Sequence, residues 1–543
     1  MKKNLFAVLI LISCGLFFLR SLFNPGFPQG HDSEMHLGRM ANLYVAVRDQ
    51  HLPPRWAGGL NYQYGYPIFN FNYYLTEALA IPFFSFGFSI EESLKIICIL
   101  IMLITPLVWY FFLKPRYGFK PALIASLFSL TAVYPWVNLY VRGSTGEVLV
   151  WLLLPLNFYL IALLMDRPNR WTFFLTTGSL TAFLLAHNIS VIFGLPFLIG
   201  FSLINLIGRK KMVWIVTGLS FFFSLGLTLF FWIPLIAEQQ YTIIRVVHPV
   251  LRFLDHFPSL GQLFFSKWGY GFSFPGTGDG FSFNLGTAHW LMLILAFFSR
   301  LKTKLFWFFL VSFFGFMFMS LSISQWFWLN LPFIYVAQFP WRLLLFMSVA
   351  MILPLAAVAK SWPKLSCLLL VIALTYGGIY FNSQGLFHAP DANYFQYPFT
   401  TTTENEHKPK WFETDKAIVL TRSFDRVFNV QKANIFLWKT QKHIYEVIVD
   451  KPGPVFEKTA YFPGWEVAID GQPAQIIYEH PDYPGLLGYQ LEPGTHHIVS
   501  QFTNHTPARQ LGGQLSLLSL GLFIFVFLFF PSLFMKLEAK RVC

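Results

Sequence analysis

The 543-residue sequence has little cysteine. Its four cysteines are Cys14, Cys98, Cys367 and Cys543. Three lie in apolar runs and the fourth is the last residue, so neither a disulfide framework nor a cysteine-ligated metal motif is present. The sequence also lacks the glycine-rich loops that bind nucleotide phosphates or dinucleotides. These absences argue against a disulfide scaffold and a nucleotide-dependent enzyme.

Charged side chains are scarce as well. Only 12% of residues are charged, whereas 55% are hydrophobic and 19% aromatic. A soluble domain carries about twice that charged share. Apolar runs of about 17 residues or more recur, which is long enough to cross hydrocarbon. The sequence therefore predicts a polytopic α-helical membrane protein with about 12 transmembrane helices, near residues 4–23, 94–113, 121–139, 147–165, 171–186, 190–207, 212–236, 287–299, 305–323, 343–359, 364–381 and 511–534.

The first apolar run has alternative interpretations. Lys2-Lys3 followed by an apolar stretch resembles a signal peptide, and residues 11–14 resemble a lipoprotein cleavage site. The run continues as far as Phe23, which favours an uncleaved first span.

Positive charge is concentrated on alternate connections between the spans. Seven connections carry 18 Lys or Arg and two acidic residues, Asp166 and Glu538. The positive-inside rule places them in the cytoplasm. This explains the net charge of +13 without a nucleic-acid partner. It predicts an integral membrane protein with both termini cytoplasmic.

The same topology divides the chain. Residues 1–381 are predicted to form a transmembrane domain with a long first outer loop, 24–93. Residues 382–508 are polar and contain short alternating runs such as 443–449, with a hairpin signal at Asp470-Gly471. We expect an extracytoplasmic β-sandwich-like domain there, followed by a last transmembrane helix and cytoplasmic tail at 509–543.

The first outer loop begins with a cluster of ionisable residues, His31-Asp32-Ser33-Glu34-Met35-His36. Apolar spacing through Val47 predicts an amphipathic helix along the membrane surface. A carboxylate there can act as a general base, with the histidines tuning it. The alternative is a capped helix start, and both can hold together. Asp32, Glu34 and His36 could also bind a divalent metal, although spacing gives no complete ligand set.

Further polar residues converge on the predicted outer side. Arg142 could hold a phosphate with Glu147 fixing it, or Arg142–Glu147 could be an exposed, capped turn. His187 marks a polar hairpin tip. Arg342, framed by aromatic residues, could bind a lipid phosphate or anchor the protein at the interface. The 237–286 loop also carries polar residues without a fixed motif, which we interpret mostly as surface groups: Arg245, His248, Arg252, His256, Lys267 and Asp279.

Several short motifs carry a family resemblance in their order along the chain. They are Gly30-His31-Asp32 with His36, Gly65-Tyr66-Pro67, Arg142-Gly143 through Glu147, Phe339-Pro340-Trp341-Arg342, and Tyr461 to Trp465 leading to Ile469-Asp470-Gly471. The chain resembles the GT-C class of integral-membrane glycosyltransferases. It is most similar to the bacterial YfhO-like and 6-pyruvoyl-tetrahydropterin-synthase-related membrane proteins.

The resemblance implies a function and roles for these residues. Asp32 would be the catalytic base and Glu34 a second carboxylate, acting on a polyprenyl-phosphate sugar donor. His31, His36, Arg142, Glu147, His187 and Arg342 would bind the donor phosphate or substrate. The acceptor would be a lipid, glycan or protein of the cell envelope. No cofactor is certain, and a divalent metal is possible.

Two rival functions remain at this stage. A transporter or flippase for lipid-linked glycans would have broken helices and charges buried mid-span. A non-catalytic envelope assembly factor would use its outer β-domain for protein contacts, and its first-loop cluster would be dispensable.

Overall fold

The structure is a computed structural model that describes residues 2–244, 252–276, 278–331, 334–402, 404–421 and 425–530. Helices dominate the chain up to residue 380, and strands dominate after residue 427. The described α-helices are Lys2–Phe18, Ser33–Arg48, Ile68–Phe71, Leu75–Ser85, Ile90–Tyr117, Phe119–Leu130, Val133–Val137, Thr145–Asp166, Arg170–Ala186, Asn188–Leu206, Lys211–Glu238, Leu260–Phe264, Thr287–Ala296, Lys304–Ser320, Gln325–Asn330, Leu344–Ser361, Pro363–Tyr380, Asp391–Phe395, Thr414–Thr421 and Pro507–Phe530.

Many of these helices are apolar. Within the described residues, eight helices are long and apolar enough to cross a membrane, or up to nine if a bent pair counts as one span. Within the described residues, each of the twelve predicted spans is mainly helical; residues 531–534 of the last predicted span lie outside those residues. Four of the helices have 17 residues or fewer: Lys2–Phe18, Arg170–Ala186, Thr287–Ala296 and Lys304–Ser320. The apolar helical character is confirmed, and the count of twelve spans stays a prediction.

The two ends of the helices differ in their connections. The Thr145–Asp166 helix has 22 residues, so its ends lie about 33 Å apart at 1.5 Å per residue. One end follows the Arg142 turn. At the other end, Arg209 Nη2 lies 2.6 Å from Asp166 Oδ1 in an exposed ion pair. The basic connection at 209–211 and the Arg142 turn therefore lie at opposite ends of the bundle.

The helix predicted in the first loop exists as Ser33–Arg48, but it does not lie exposed on a surface. Every residue from His36 to Leu43 is buried. A distant part of the chain, which we name the crossing segment (residues 382–402), covers one side. The Gly38 Cα packs against the Tyr397 ring, and Arg39 Nη2 donates to the Thr401 carbonyl at 2.7 Å. Sequence periodicity cannot show this cover, because it comes from residues about 360 positions away.

The crossing segment is also attached to the helical part of the chain. Leu386–Phe387 pairs with Phe27–Pro28 as a two-stranded antiparallel sheet. Glu91, in the first turn of the Ile90–Tyr117 helix, accepts hydrogen bonds from the Ala389 amide at 2.8 Å and the Tyr394 hydroxyl at 2.5 Å. These contacts fix the first-loop helix between the bundle and the C-terminal region.

The C-terminal region contains two antiparallel sheets that share one apolar core. The predicted β-rich region is thus confirmed as sheet structure, but the strands of these two sheets begin at Val427, and the earlier strand Leu386–Phe387 pairs with the first loop instead. Asp470 and Gly471 have φ of 50° and 81°, as the predicted hairpin turn requires. The first sheet runs in the order Lys432–Trp438, Lys442–Val449, Gly494–Phe502, Trp465–Ile469 and Gln472–Ala474, and the second in the order Val427–Phe428, Gly453–Ala460 and Leu486–Leu491.

Aromatic side chains of the first loop complete this core. Trp56 and Tyr64 are buried in the same cluster as the strand residues. The Trp56 and Trp465 rings meet edge to face with centroids 5.8 Å apart. The first loop and the β-region therefore share one apolar core.

Candidate functional site

The turn after the Val133–Val137 helix builds the centre of the site. Residues Asn138–Arg142 form a wide π-helical turn, a rare geometry that is frequent at functional sites. Gly143 ends the turn with φ of 67°, a left-handed conformation that favours glycine. The turn puts Asn138 and Arg142 on one face, where Arg142 Nη1 donates to Asn138 Oδ1 at 2.7 Å.

Arg142 forms a buried ion pair with Glu147. Its Nη1 atom lies 2.7 Å from Glu147 Oε1. The other carboxylate oxygen, Oε2, accepts from the Tyr134 hydroxyl at 3.0 Å and from Asn138 Nδ2 at 3.2 Å. Both charged side chains are almost completely buried. The interpretation of this stretch as an exposed turn is therefore wrong, and the predicted pairing is confirmed.

Arg342 joins the same carboxylate from a distant part of the sequence. Its Nε atom lies 3.5 Å from Glu147 Oε1, and Nη1 donates to the Ala337 carbonyl at 3.2 Å. The guanidinium of Arg142 stacks over the Trp341 ring at 4.6 Å. Two guanidinium groups thus share one carboxylate. We name Arg142, Glu147 and Arg342 the arginine cluster; it carries an excess positive charge.

The first loop docks onto this cluster through its main chain. The amides of His31 and Asp32 donate to the carbonyls of Val141 and Arg142 at 2.9 and 2.8 Å. A Cβ atom on Gly143 would lie 2.3 Å from Ser33 Oγ, which is far closer than a side chain can approach. Glycine at this position therefore allows the start of the first-loop helix to touch the Arg142 turn.

Asp32 lies at the edge of the arginine cluster. It occupies the N-cap position of the Ser33–Arg48 helix, but its side chain makes no capping hydrogen bond. Within the parts of the chain that the structure describes, its carboxylate has no hydrogen-bond partner and is partly exposed. Its negative charge interacts electrostatically with Arg142 and with His31. The helix-cap interpretation thus accounts for the position of Asp32 but leaves its carboxylate available.

Glu34 does not reach the cluster. Its side chain is exposed, and it faces the crossing segment. Burial and then the negative charge of Glu34 raise the pKa of Tyr397 to about 12. Residues two positions apart on a helix do not share a face, so Asp32 and Glu34 diverge. The role of Glu34 as a second carboxylate stays a prediction without support from this placement.

The two histidines of the motif have different surroundings. The ring of His31 stacks on Phe272 with centroids 4.3 Å apart, and its Nε2 lies 3.1 Å from the Tyr270 carbonyl oxygen. Burial lowers the pKa of His31. His36 is buried on the other side of the helix start, where its Nδ1 lies 2.5 Å from Glu77 Oε1. His36 therefore belongs to the site, beside a carboxylate that the sequence did not single out.

His187 borders the same region. It caps the Asn188–Leu206 helix, since its ring nitrogen Nδ1 accepts from the Ser190 amide at 3.2 Å. Burial lowers the pKa of His187 to about 3, so the imidazole is neutral at physiological pH. The Tyr73 ring lies between His187, at 4.6 Å, and His36, at 6.0 Å between centroids. The hairpin-tip interpretation and a place in the site both hold for this residue.

Sequence reasoning missed several residues of the site. Glu77 is a single acid in the otherwise apolar Leu75–Ser85 helix, and that isolation was the available signal. Tyr73 was treated as one of many first-loop aromatics. Its ring fills space that a Cβ on Gly146 would enter at 2.3 Å. Tyr134 and Asn138 lie inside an apolar predicted span and gave no signal.

The predicted metal ligands do not converge. Among the residues that the structure describes, no three His, Cys, Asp or Glu side chains form a group that could hold a metal ion. Asp32 borders the arginine cluster, Glu34 is exposed and His36 contacts Glu77. A metal requirement therefore stays a prediction.

The predicted polar residues of the 237–286 loop that the structure describes bond within the loop, contact an aromatic ring or are exposed. Asp279 accepts from Gln262 Nε2 at 2.7 Å within the loop, and Lys267 is exposed. His256 Nδ1 lies 3.0 Å from Ser273 Oγ, and its ring meets Phe339 edge to face. Arg245, His248 and the side chain of Arg252 lie outside the described residues.

Comparisons with known proteins identify no relative. The chain matches no protein family, and no curated protein is significantly similar to it. The geometry of the site is therefore the basis for the functional proposal.

Proposed function

We propose that this protein is a GT-C-type glycosyltransferase that moves a sugar from a polyprenyl-phosphate donor to a cell-envelope acceptor. The observation that carries the proposal is the position of Asp32 beside the arginine cluster. A partly exposed carboxylate without a hydrogen bond to the described residues borders two guanidinium groups that share one carboxylate. A base next to a phosphate-binding group is what this reaction needs.

The arginine cluster would bind the phosphate of the donor. Arg142 and Arg342 together carry more positive charge than Glu147 neutralises, and guanidinium groups form strong paired hydrogen bonds to phosphate oxygens. As the bond between the sugar and the phosphate breaks, negative charge grows on the leaving phosphate. Arginines held in place by Glu147, Tyr134 and Asn138 would stabilise that charge without reorganising.

Asp32 would act as the base toward the acceptor. It takes the proton of an acceptor hydroxyl while the oxygen attacks the anomeric carbon, and polyprenyl phosphate leaves with the bonding electrons. With one carboxylate acting on the acceptor, a single displacement inverts the anomeric configuration. The polyprenyl phosphate itself is the leaving group, so no nucleotide is required.

The proposal includes a cellular location and a membrane orientation. With twelve spans and the basic connections in the cytoplasm, the arginine cluster and the C-terminal region would lie on the outer face of the bacterial inner membrane. Both termini would be cytoplasmic. The four helices of 17 residues or fewer would complete their spans with the apolar residues that flank them. The acceptor would then be a lipid, glycan or protein of the envelope.

One observation favours a second candidate, a transporter of lipid-linked glycans. The helices Lys304–Ser320 and Ser322–Asn330 are bent by 84° at a short break, and broken helices are frequent in transporters. Against this, the buried charges of the arginine cluster lie at helix ends rather than at mid-span. A transporter needs no general base at Asp32, so the two functions predict different mutant behaviour.

Replacement of Asp32 tests the proposal. Asp32→Asn keeps the size of the side chain and removes the base, so we expect the glycan product to fall by about 10²-fold or more with normal insertion. Glu34→Gln changes the neighbouring acid that faces the crossing segment, and we expect product within about twofold of wild type. The measurement is mass analysis of envelope glycans in cells that carry only the variant.

The outcomes separate the candidates. Normal product with Asp32→Asn contradicts the catalytic assignment. Loss of product with both variants favours a paired-carboxylate mechanism over a single base. Accumulation of the sugar-lipid donor in the cytoplasmic leaflet, rather than the outer leaflet, favours transport.

A further inference from the structure

Glu77 is a buried carboxylate that the proposed reaction leaves unexplained. Its exposed fraction is 0%, and it lies in the first turn of the apolar Leu75–Ser85 helix. Its Oε1 atom lies 2.5 Å from His36 Nδ1 and accepts from the Thr145 hydroxyl at 3.4 Å. Its Oε2 atom has no hydrogen bond with any residue that the structure describes. A buried charge is costly, and packing alone does not require one here.

His36 contacts Glu77 through its side chain and Asp32 through its main chain. Asp32 is the N-cap residue, His36 lies in the first turns of the same helix, and the His36 amide donates to the Asp32 carbonyl at 3.1 Å. Nδ1 of His36 contacts Glu77 and the Thr145 hydroxyl, at 2.5 and 3.0 Å. Nε2 makes no hydrogen bond with the described residues. A histidine that donates through Nδ1 to a carboxylate presents Nε2 as a proton acceptor.

Other charged and titratable groups surround this pair on every side. Burial alone raises the pKa of Glu77, but His36 and Arg39 together outweigh it and hold that pKa below its ordinary value. Glu77 is therefore an anion at neutral pH. The groups that face the pair from neighbouring elements are Asp32, Arg39, Tyr73, Cys98, Glu147 and His187.

We propose that His36 and Glu77 form a proton relay behind Asp32: His36 Nε2 takes from Asp32 the proton that Asp32 removes from the acceptor, and Glu77 is the positioning residue that holds the imidazole. The proposal rests on the proposed function. It assigns a role to Glu77 and a specific atom, Nε2, to His36.

The proton balance of the relay is simple. The acceptor O–H bond breaks as the new bond to the sugar forms, and the proton goes to the Asp32 carboxylate. It then passes to His36 Nε2, which is favourable because imidazole is ordinarily a stronger base than a carboxylate. The positive charge on the imidazole is stabilised by Glu77 in a buried site. Release of the proton to water or to the departing phosphate restores His36.

The first measurement needs no substrate. The ring nitrogens of ¹⁵N-histidine-labelled full-length protein in lipid nanodiscs are observed by NMR, with the His36 signals assigned from their loss in His36→Gln. We expect a proton on Nδ1 and none on Nε2 at pH 7. Glu77→Gln replaces the anionic acceptor of the Nδ1 proton with a neutral amide, so we expect a measurable fraction of the tautomer that carries the proton on Nε2.

The second measurement follows turnover with a defined probe. The probe is undecaprenyl-phosphate-linked glucose, with water as the acceptor and released glucose as the readout. In Glu77→Gln the rate of glucose release should fall by about 10²-fold. Glu77→Asp keeps the anionic acceptor for His36 Nδ1 and should restore most of that rate.

A second buried Glu–His pair provides the matched control. In the β-region, His443 Nδ1 lies 2.9 Å from Glu457 Oε2, and both residues are buried. Glu457→Gln removes an equivalent contact far from the arginine cluster and should leave the rate of glucose release within about twofold of wild type. Glucose release at the wild-type rate in Glu77→Gln overturns the relay alone. No release from wild-type protein overturns the proposed function, and the relay with it.

Discussion

At the residue scale, spacing along a helix decides which acidic residue reaches the candidate site. The sequence presents Asp32 and Glu34 as an equivalent pair. The helix starts at Ser33, so the two side chains point to different neighbours, Arg142 for Asp32 and Tyr397 for Glu34. The polar residues of the site were predictable because charge is rare in apolar sequence. Their pairing was not, because it depends on the exact turn at which each helix begins.

Gly143 offers a test of the contact between the first loop and the Arg142 turn. Gly143→Ala would place a Cβ atom 2.3 Å from Ser33 Oγ at a φ of +67°. We expect the first loop to be displaced from Arg142, with loss of most glycan product and a lower unfolding temperature. Product is measured by glycan mass analysis and stability by thermal unfolding in detergent.

Gly208 supplies the control for backbone strain. It also has positive φ, +82°, but no atom lies within 4 Å of its Cβ position. Gly208→Ala should cost about 1 kcal/mol of stability and leave product formation intact. Equal loss of product in both variants would attribute the effect to the backbone rather than to the contact with Ser33.

At the element scale, apolar periodicity predicts helices well and their surroundings poorly. In the described residues the twelve predicted spans are mainly helical, and the strand around 443–449 and the turn at Asp470-Gly471 are where the sequence indicates. The first-loop helix was expected on a surface and is buried, because the crossing segment lies over it. The single predicted span at 121–139 is divided at Thr131–Ala132 and ends in a π-helical turn. The covering of the first-loop helix and the division of the span at 121–139 both arise from long-range contacts.

A buried polar network joins four elements at the base of the β-region. Glu238, at the end of the Lys211–Glu238 helix, accepts from Arg509 Nη2 at 2.8 Å and from the Thr506 hydroxyl at 2.6 Å. Asn70 Nδ2 donates to the same carboxylate at 2.8 Å and accepts from Arg55 Nη1 at 2.8 Å. We name these five residues the joint network. It connects the first loop, the last helix and the sheets without involving the arginine cluster.

Removal of one charge from the joint network should be strongly destabilising. Arg509→Ala leaves Glu238 buried without its partner, at a cost of about 3–5 kcal/mol. The double variant Arg509→Met with Glu238→Gln removes both charges and should recover much of that stability. Thermal unfolding in detergent measures both. If the double variant is as unstable as Arg509→Ala, packing of the Arg509 stem rather than charge pairing holds the joint.

At the scale of the whole molecule, the polar residues collect at one end of the helices and the short basic connections at the other. Arg142 and Arg342 meet at Glu147, while Arg209 pairs with Asp166 at the far end of the same helix. The sequence predicted this polarity from alternating charge. It gave no distances, because two segments that face the same compartment need not touch.

Reporter fusions test the proposed orientation. We expect a reporter fused after Lys304 to be active in the cytoplasm, and one inserted after Lys451, in an exposed turn between two strands, to be active outside. The measurement is the ratio of alkaline phosphatase to green-fluorescent signal at each position. The reverse pattern would invert the topology and remove the outer-face reaction.

The crossing segment also affects how the chain folds during translation. The bond between Arg39 and Thr401 joins residues 362 positions apart, and that between Asp49 and Thr440 joins residues 391 apart. The first loop is translated early and the residues that cover it are translated much later. The helix at 33–48 therefore stays uncovered through most of synthesis. Pairings of such long range form slowly. A ribosome-stalled or truncated chain would therefore present an open, protease-sensitive first loop.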